Sequence, residues 1–234
     1  MTTFKPILFS TPMVEALLDG RKTQTRRTKG LEKFNEAPDS WRYDNYDTDT
    51  QSHYMELISS DGKFNEKYFE VVSPYKIGDI LWVREKFRVM INCETKEFSS
   101  FEYFAGEQDF YTYLKEIDKK VKWKPSIFMP KEACRLFLKV KAINVKRLHD
   151  ISLYDIKSEG VVYPGNFVLG VQNNALSFLP KGRNLNTNPP NEDEIFFAHW
   201  AELWCKINGL HSWSSNPFVW VIEFEKIEKP NNFI

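Results

Sequence analysis

Strand-forming and helix-forming stretches are interspersed along this chain without a regular β-α-β alternation. That order favours an α+β fold, a sheet or small barrel carrying peripheral helices. The run Phe218-Val219-Trp220-Val221-Ile222-Glu223-Phe224 is strongly β-prone. Cys134 to Leu148 reads as a long strand, with Leu136, Leu138, Val140, Ala142 and Val145 on one face, interrupted near Ile143. Ile80 to Met90 reads as another, although Arg84, Glu85 and Lys86 break its alternation. Phe4 to Ser10, interrupted by Pro6, reads as an edge strand or extended entry. Residues 29 to 76 hold no sustained period, and short strands are expected there near Tyr54–Ile58 and Tyr68–Val72.

The helices announce themselves at their ends. Thr11 is placed to cap a short helix, Pro12 fits its first position and Gly20 suits the residue just past its end. Ser152, with Asp155 at the capping-box distance, opens a second helix that Gly160 closes. Asn191 opens a third, Glu192 to Asn208, closed by Gly209. Ile195, Phe196, Trp200, Leu203, Trp204 and Ile207 give it a broad apolar face. Asp109 to Lys120 reads as a possible further helix, residues 163 to 191 as a loop or insertion, and Trp123 to Pro130 as an extended stretch between two prolines.

Composition removes several functional classes. The 234 residues carry 32 basic and 32 acidic side chains, so bulk charge does not drive binding to nucleic acid; such contact needs a local patch. The three cysteines, Cys93, Cys134 and Cys205, are far apart and form neither a disulfide framework nor a zinc pattern. The four histidines have no metal-ligand spacing, so neither a metal nor a cofactor is expected. Walker, GxGxxG and GxSxG motifs are absent, and no apolar run is long enough to span a bilayer. The start has no signal-peptide pattern, and the expected location is cytoplasmic.

The segment that concentrates chemistry is Gly20-Arg21-Lys22-Thr23-Gln24-Thr25-Arg26-Arg27. Clustered cations with hydroxyls between them suit a phosphate or a polar anionic ligand. Taken alone, such a cluster also reads as a solvated basic turn.

The order Gly-x-Lys-x-x-Thr-x-Arg after a short helix resembles the signature of the ASCH domain, a branch of the PUA-like β-barrel superfamily. Further stretches resemble the version found in bacteriophages and prophages: Lys5 to Ser10, Gly78-Asp79-Ile80-Leu81-Trp82-Val83-Arg84-Glu85, Pro125-Ser126-Ile127-Phe128-Met129-Pro130, and near the end Trp204, Ile207-Asn208-Gly209, Ser212-Trp213, Asn216-Pro217 and Val219-Trp220-Val221. The resemblance spans the chain as one domain, except insertions near 30–74, 92–120 and 163–190. It implies a PUA-like β-barrel with peripheral short helices and a cleft beside the first helix. It also implies a phage- or prophage-encoded protein in the cytoplasm of a bacterial host. The partners it implies are RNA, single-stranded nucleic acid or a modified nucleoside.

One small ASCH branch removes the acetyl group from N4-acetylcytidine with a Lys, a Thr three residues later and a Glu in a helix after a long strand. Lys22, Thr25 and Glu159 occupy the matching places. In that role Thr25 is the nucleophile, Lys22 takes its proton once its pKa is lowered, and Glu159 orients the lysine or protonates the leaving amine. Glu159 beside Lys22 opposes that lowering. Ligand binding without cutting is the other reading, with Arg21, Arg26, Arg27, Trp82, Arg84, Ser126 and Trp213 as contacts. Of these, Trp82 and Arg84 share one face of their strand, and Trp213 is expected in a loop. A ribonuclease and a phage accessory or assembly protein are further alternatives, the former without an obvious metal cluster or histidine pair.

Overall fold

The computed structural model describes residues 3–58, 64–92, 94–106, 122–162 and 190–233. The expected helix at Asp109–Lys120 and all but the end of the expected loop at 163–191 lie outside them. In chain order the elements are β1 (Phe4–Leu8), α1 (Thr11–Leu18), β2 (Gln24–Arg27), α2 (Glu32–Asn35), β3 (Trp41–Asp47), β4 (Ser52–Ile58), β5 (Phe64–Val71), β6 (Ile80–Arg84), β7 (Phe87–Ile91), β8 (Phe98–Tyr103), β9 (Phe137–Arg147), α3 (Leu153–Ser158), α4 (Glu192–Asn208), α5 (Leu210–Ser214) and β10 (Phe218–Ile227). The fold is α+β, mostly strands with few and mainly short helices. Among the described residues the sheets have open strand orders and none closes into a barrel.

The chain divides into two compact units. Met1–Thr23, Ile77–Lys141 and Phe224–Ile234 form the first; Gln24–Lys76 and Ala142–Glu223 form the second.

In the first unit, β1 pairs in parallel with β6 from Phe4↔Ile80 to Leu8↔Arg84. β6 pairs antiparallel with β9 from Ile80↔Lys139 to Trp82↔Phe137. Helix α1 buries Met13, Val14, Ala16 and Leu17. Its N-cap is Ser10, not the expected Thr11, and no side chain caps it; Pro12 occupies the first turn, where a missing N–H matters least. Gly20, at φ +74°, turns the chain out of the helix. The single strand expected at Ile80–Met90 is two strands. It breaks at Glu85, which is 1% exposed and receives two hydrogen bonds of 2.9 Å from the Arg135 guanidinium. β7 then pairs with β8 as a separate two-stranded sheet. One core cluster of this unit gathers Phe87, Met129, Ala133, Cys134, Phe137 and Phe233. Burial pushes the Cys134 thiol up to about 11, which keeps it protonated and unreactive.

In the second unit, β3, β4 and β5 form an antiparallel sheet and β10 pairs antiparallel with β2. The core joins Leu148, Ile156 from α3, Phe196, Trp200, Ala201 and Trp204 from α4, Trp213 from α5, and Val219 and Val221 from β10. Both longer caps form as their sequences require: Ser152 with Asp155, and Asn191 with Glu194, make reciprocal capping boxes. The buried stripe of α4 ends at Trp204, and Ile207, expected on it, is exposed. Asn35, at the end of α2, exchanges two hydrogen bonds with the Phe218 backbone, 2.7 and 3.0 Å, and so fastens that helix to the start of β10.

His53 of β4 is 1% exposed. Its Nδ1 lies 3.3 Å from the Tyr43 hydroxyl, and its ring packs against Tyr46 at 4.7 Å and Trp220 at 5.0 Å. Burial lowers its pKa from 6.5 to about 4. The folded chain therefore keeps His53 neutral while the unfolded chain takes up a proton below pH 6.5. The stabilisation is complete above that pH and is lost as pH falls toward 4. Urea midpoints measured across this window are expected to fall by the equivalent of roughly 2–3 kcal/mol, and His53→Gln is expected to flatten that part of the curve.

Candidate functional site

The segment from Gly20 to Arg27 runs from the first unit into the second, the boundary falling between Thr23 and Gln24. It is not a solvated basic turn. Lys22, Gln24, Thr25 and Arg26 are each less than 5% exposed, while Arg21 and Thr23 lie at the surface.

On the first unit's side, Lys22 donates its backbone N–H to Ala16 O at 3.0 Å, which folds the chain back under the end of α1. Its Nζ lies 5.4 Å from the centre of the Phe9 ring. Arg21 forms an exposed ion pair with Asp19 at 2.7 Å. Trp82 and Arg84 share one face of β6, as alternation requires, with the guanidinium 5.5 Å from the indole centre. Arg84 also donates Nε to Met129 O at 3.2 Å and Nη2 to Ile127 O. Ser126 opens a 3-10 turn, Ser126–Phe128, in place of the expected extended stretch.

On the second unit's side, β2 places Gln24 and Arg26 on one face and Thr25 and Arg27 on the other. Thr25, opposite Ile222 of β10, is fully buried, and its hydroxyl accepts from Arg27 Nη1 at 2.8 Å. Arg26, opposite Val221, turns toward α3. Its Nη1 donates to Gln24 Oε1 at 2.6 Å and to Glu159 Oε1 at 3.1 Å, and its Nη2 lies 3.1 Å from Asp155 Oδ2. The Gln24 amide donates in turn to Asp155 Oδ1 at 3.2 Å. The Trp200 ring flanks the guanidinium at 5.8 Å. Among the described residues Arg26 Nε has no hydrogen-bond acceptor, a costly state for a group this deeply buried.

The electrostatics follow from this arrangement. Burial works to raise the Asp155 carboxyl, but Arg26 and the Gln24 amide outweigh it and hold the group below its ordinary value. Burial lowers the Arg27 guanidinium, and the Glu159 carboxylate opposes that lowering. Glu159, just past the last turn of α3, thus belongs with the two arginines of β2. It accepts from Arg26, whereas the Thr25 hydroxyl engages Arg27 on the opposite face of the strand.

Gln24 and Asp155 join this site without standing out in the sequence, yet a signal for both is present there. Gln24 stands two residues before Arg26 on a strand, and Asp155 four before Glu159 at a helix end, so each shares a face with a candidate site residue. Trp213, expected in a loop, lies in α5, 9% exposed, with His149 at 4.4 Å and Phe197 at 5.5 Å from its ring. Leu210 opens α5 directly after Gly209, so the polar composition of this stretch conceals a helix. Among the described residues no group of three or more His, Cys, Asp or Glu side chains could hold a metal ion, and no helix is long and apolar enough to cross a membrane.

Removing the Arg26 charge leaves two carboxylates facing each other in the interior. Arg26→Met is expected to lower stability by about 3–5 kcal/mol, measured by urea unfolding. Comparisons with protein-family models, with curated proteins and with solved structures return no match.

Proposed function

We propose that this protein binds a nucleic acid or a modified nucleoside in the manner of the ASCH domains, through the segment Gly20–Arg27. The observation that supports this reading is the burial of Lys22, Gln24, Thr25 and Arg26, each under 5% exposed, in so polar a stretch. Buried charge is costly to keep, and sites of recognition or chemistry are where proteins keep it. In this reading the buried groups fix the backbone of the segment. On the first unit Arg21 and Thr23, both exposed, offer charge and hydroxyl to a phosphate-bearing ligand; on the second, the half-buried Arg27 offers charge. The PUA-like barrel is the finer fold that goes with this proposal; it needs a circular strand order, whereas the strand orders among the described residues are open.

The geometry supports holding a ligand better than cutting one. As an amidohydrolase acting on an N-acylated nucleoside, the chain needs a Thr25 hydroxyl ready to lose its proton and a Glu159 ready to give one. The Glu159 carboxylate is engaged by the Arg26 guanidinium at 3.1 Å, an arrangement suited to orienting a neighbour.

Filter binding to RNA and to single-stranded DNA tests the proposal. Binding is expected to weaken with salt, and Arg21→Ala with Arg27→Ala is expected to reduce the salt slope by about 1.4, two phosphate contacts on a single strand. Absence of binding at low salt removes the reading. Release of cytidine from N4-acetylcytidine, abolished by Thr25→Ala, replaces it with the hydrolase.

A further inference from the structure

The first unit carries an exposed turn that the segment Gly20–Arg27 does not explain. Ser126–Phe128 is a 3-10 turn bracketed by Pro125 and Pro130. Ile127 is 59% exposed and Phe128 68% exposed, among the most exposed large apolar side chains described. An aromatic ring left this open usually moves freely or gets covered. Here the backbone beneath it is fastened on both sides. Lys124 exchanges hydrogen bonds with Phe87 of β7, N–H to O at 2.8 Å and the reverse at 3.2 Å. The turn closes on itself through Phe128 N–H to Pro125 O at 3.0 Å and Met129 N–H to Ser126 O at 3.1 Å. The Met129 side chain is 1% exposed and plugs the core. The Arg84 guanidinium, propped on Trp82, takes the carbonyls of Ile127 and Met129. Arg84 is thereby a brace for the turn, and Leu8, its partner in register on β1, adds a further exposed apolar group beside it.

Charge decides what such a ring is built to meet. From Lys122 to Lys131 the sequence holds Lys122, Lys124 and Lys131 and no acidic residue; Glu132 is the first. Lys124 is exposed on one side of the turn, and Lys131 stands on the other with its Nζ 4.9 Å from the Phe233 ring. A braced aromatic side chain flanked in the sequence by an exposed and a half-buried lysine matches alternating base and phosphate better than it matches a protein surface, since protein interfaces are poor in lysine. We propose that the turn Pro125–Pro130 is a contact for single-stranded nucleic acid. One base stacks on Phe128, and the flanking phosphates lie against Lys124 and Lys131. The ligand class is that of the function proposed above, but this surface stands on its own observations.

Fluorescence anisotropy of labelled oligo(U) and oligo(dT), about 12 nucleotides long, with the full chain tests it. Phe128→Ala and Phe128→Leu are both expected to weaken binding about 5- to 100-fold, while Phe128→Trp retains it, because stacking needs a ring. Lys124→Ala with Lys131→Ala is expected to lower the salt slope by about 1.4. Phe128 is at the surface, so unchanged urea midpoints verify that each variant folds. Full binding by Phe128→Leu overturns the proposal, as does the absence of binding by the folded wild-type chain at low salt. Association of the chain with itself or another protein that depends on Phe128, without oligonucleotide binding, overturns it too. If Arg21→Ala with Arg27→Ala weakens binding and Phe128→Ala does not, this proposal falls and the function assigned to Gly20–Arg27 stands. If Phe128→Ala weakens binding and the arginine pair does not, the contact at the turn stands and the role of Gly20–Arg27 falls.

Discussion

The guanidinium of Arg26 is the interaction on which the second unit's polar interior depends. It lies between the carboxylates of Asp155 and Glu159, and Gln24 completes the ring by linking Arg26 to Asp155. These contacts tie the four side chains together. Asp155 carries a double load, since it also closes the capping box with Ser152. The start of α3 and the orientation of β2 are therefore set by the same carboxylate. A change at Asp155 disturbs the helix end, the arginine and, through Arg26, the position of Glu159.

This coupling bears on what the segment Gly20–Arg27 can do. The pleat of β2 sends Arg26 toward α3 and Thr25 to the other face, where Arg27 holds its hydroxyl. A threonine so placed is well fixed and poorly exposed. Rigid fixation serves recognition, in which a ligand selects a surface already formed. Arg21 and Thr23 are the exposed residues of the segment, Arg27 is half-buried, and the buried ones keep the backbone in place.

Much of this is legible from local chemistry. Ser152, Asn191, Gly20, Gly160 and Gly209 mark helix ends because caps and left-handed residues act within a turn of the chain. β9 and β10 are legible because their apolar residues are many and β-prone. β3 is not, since Trp41-Arg42-Tyr43-Asp44-Asn45-Tyr46-Asp47 is half-buried, polar and interrupted by a bulge between Tyr43 and Asn45 that breaks the period of two. The basic segment shows its residue types in the sequence but not its burial. Whether Lys22 and Arg26 face water depends on contacts with residues distant in sequence, such as Phe9 for one and Glu159 for the other, and no local pattern encodes those.

The interleaving of the two units has a consequence for how the chain is made. Phe233 packs against Phe4 at 5.1 Å and Phe137 at 4.7 Å, so the first unit's core draws on segments far apart in the sequence. During synthesis that core stays incomplete until Phe233 has left the ribosome, although β1 and α1 emerge well before it. The second unit has its last segment, up to Glu223, earlier. The first unit's early segment, β1 with α1, must wait for Phe233, an interval in which a nascent chain is exposed to chaperones and to aggregation.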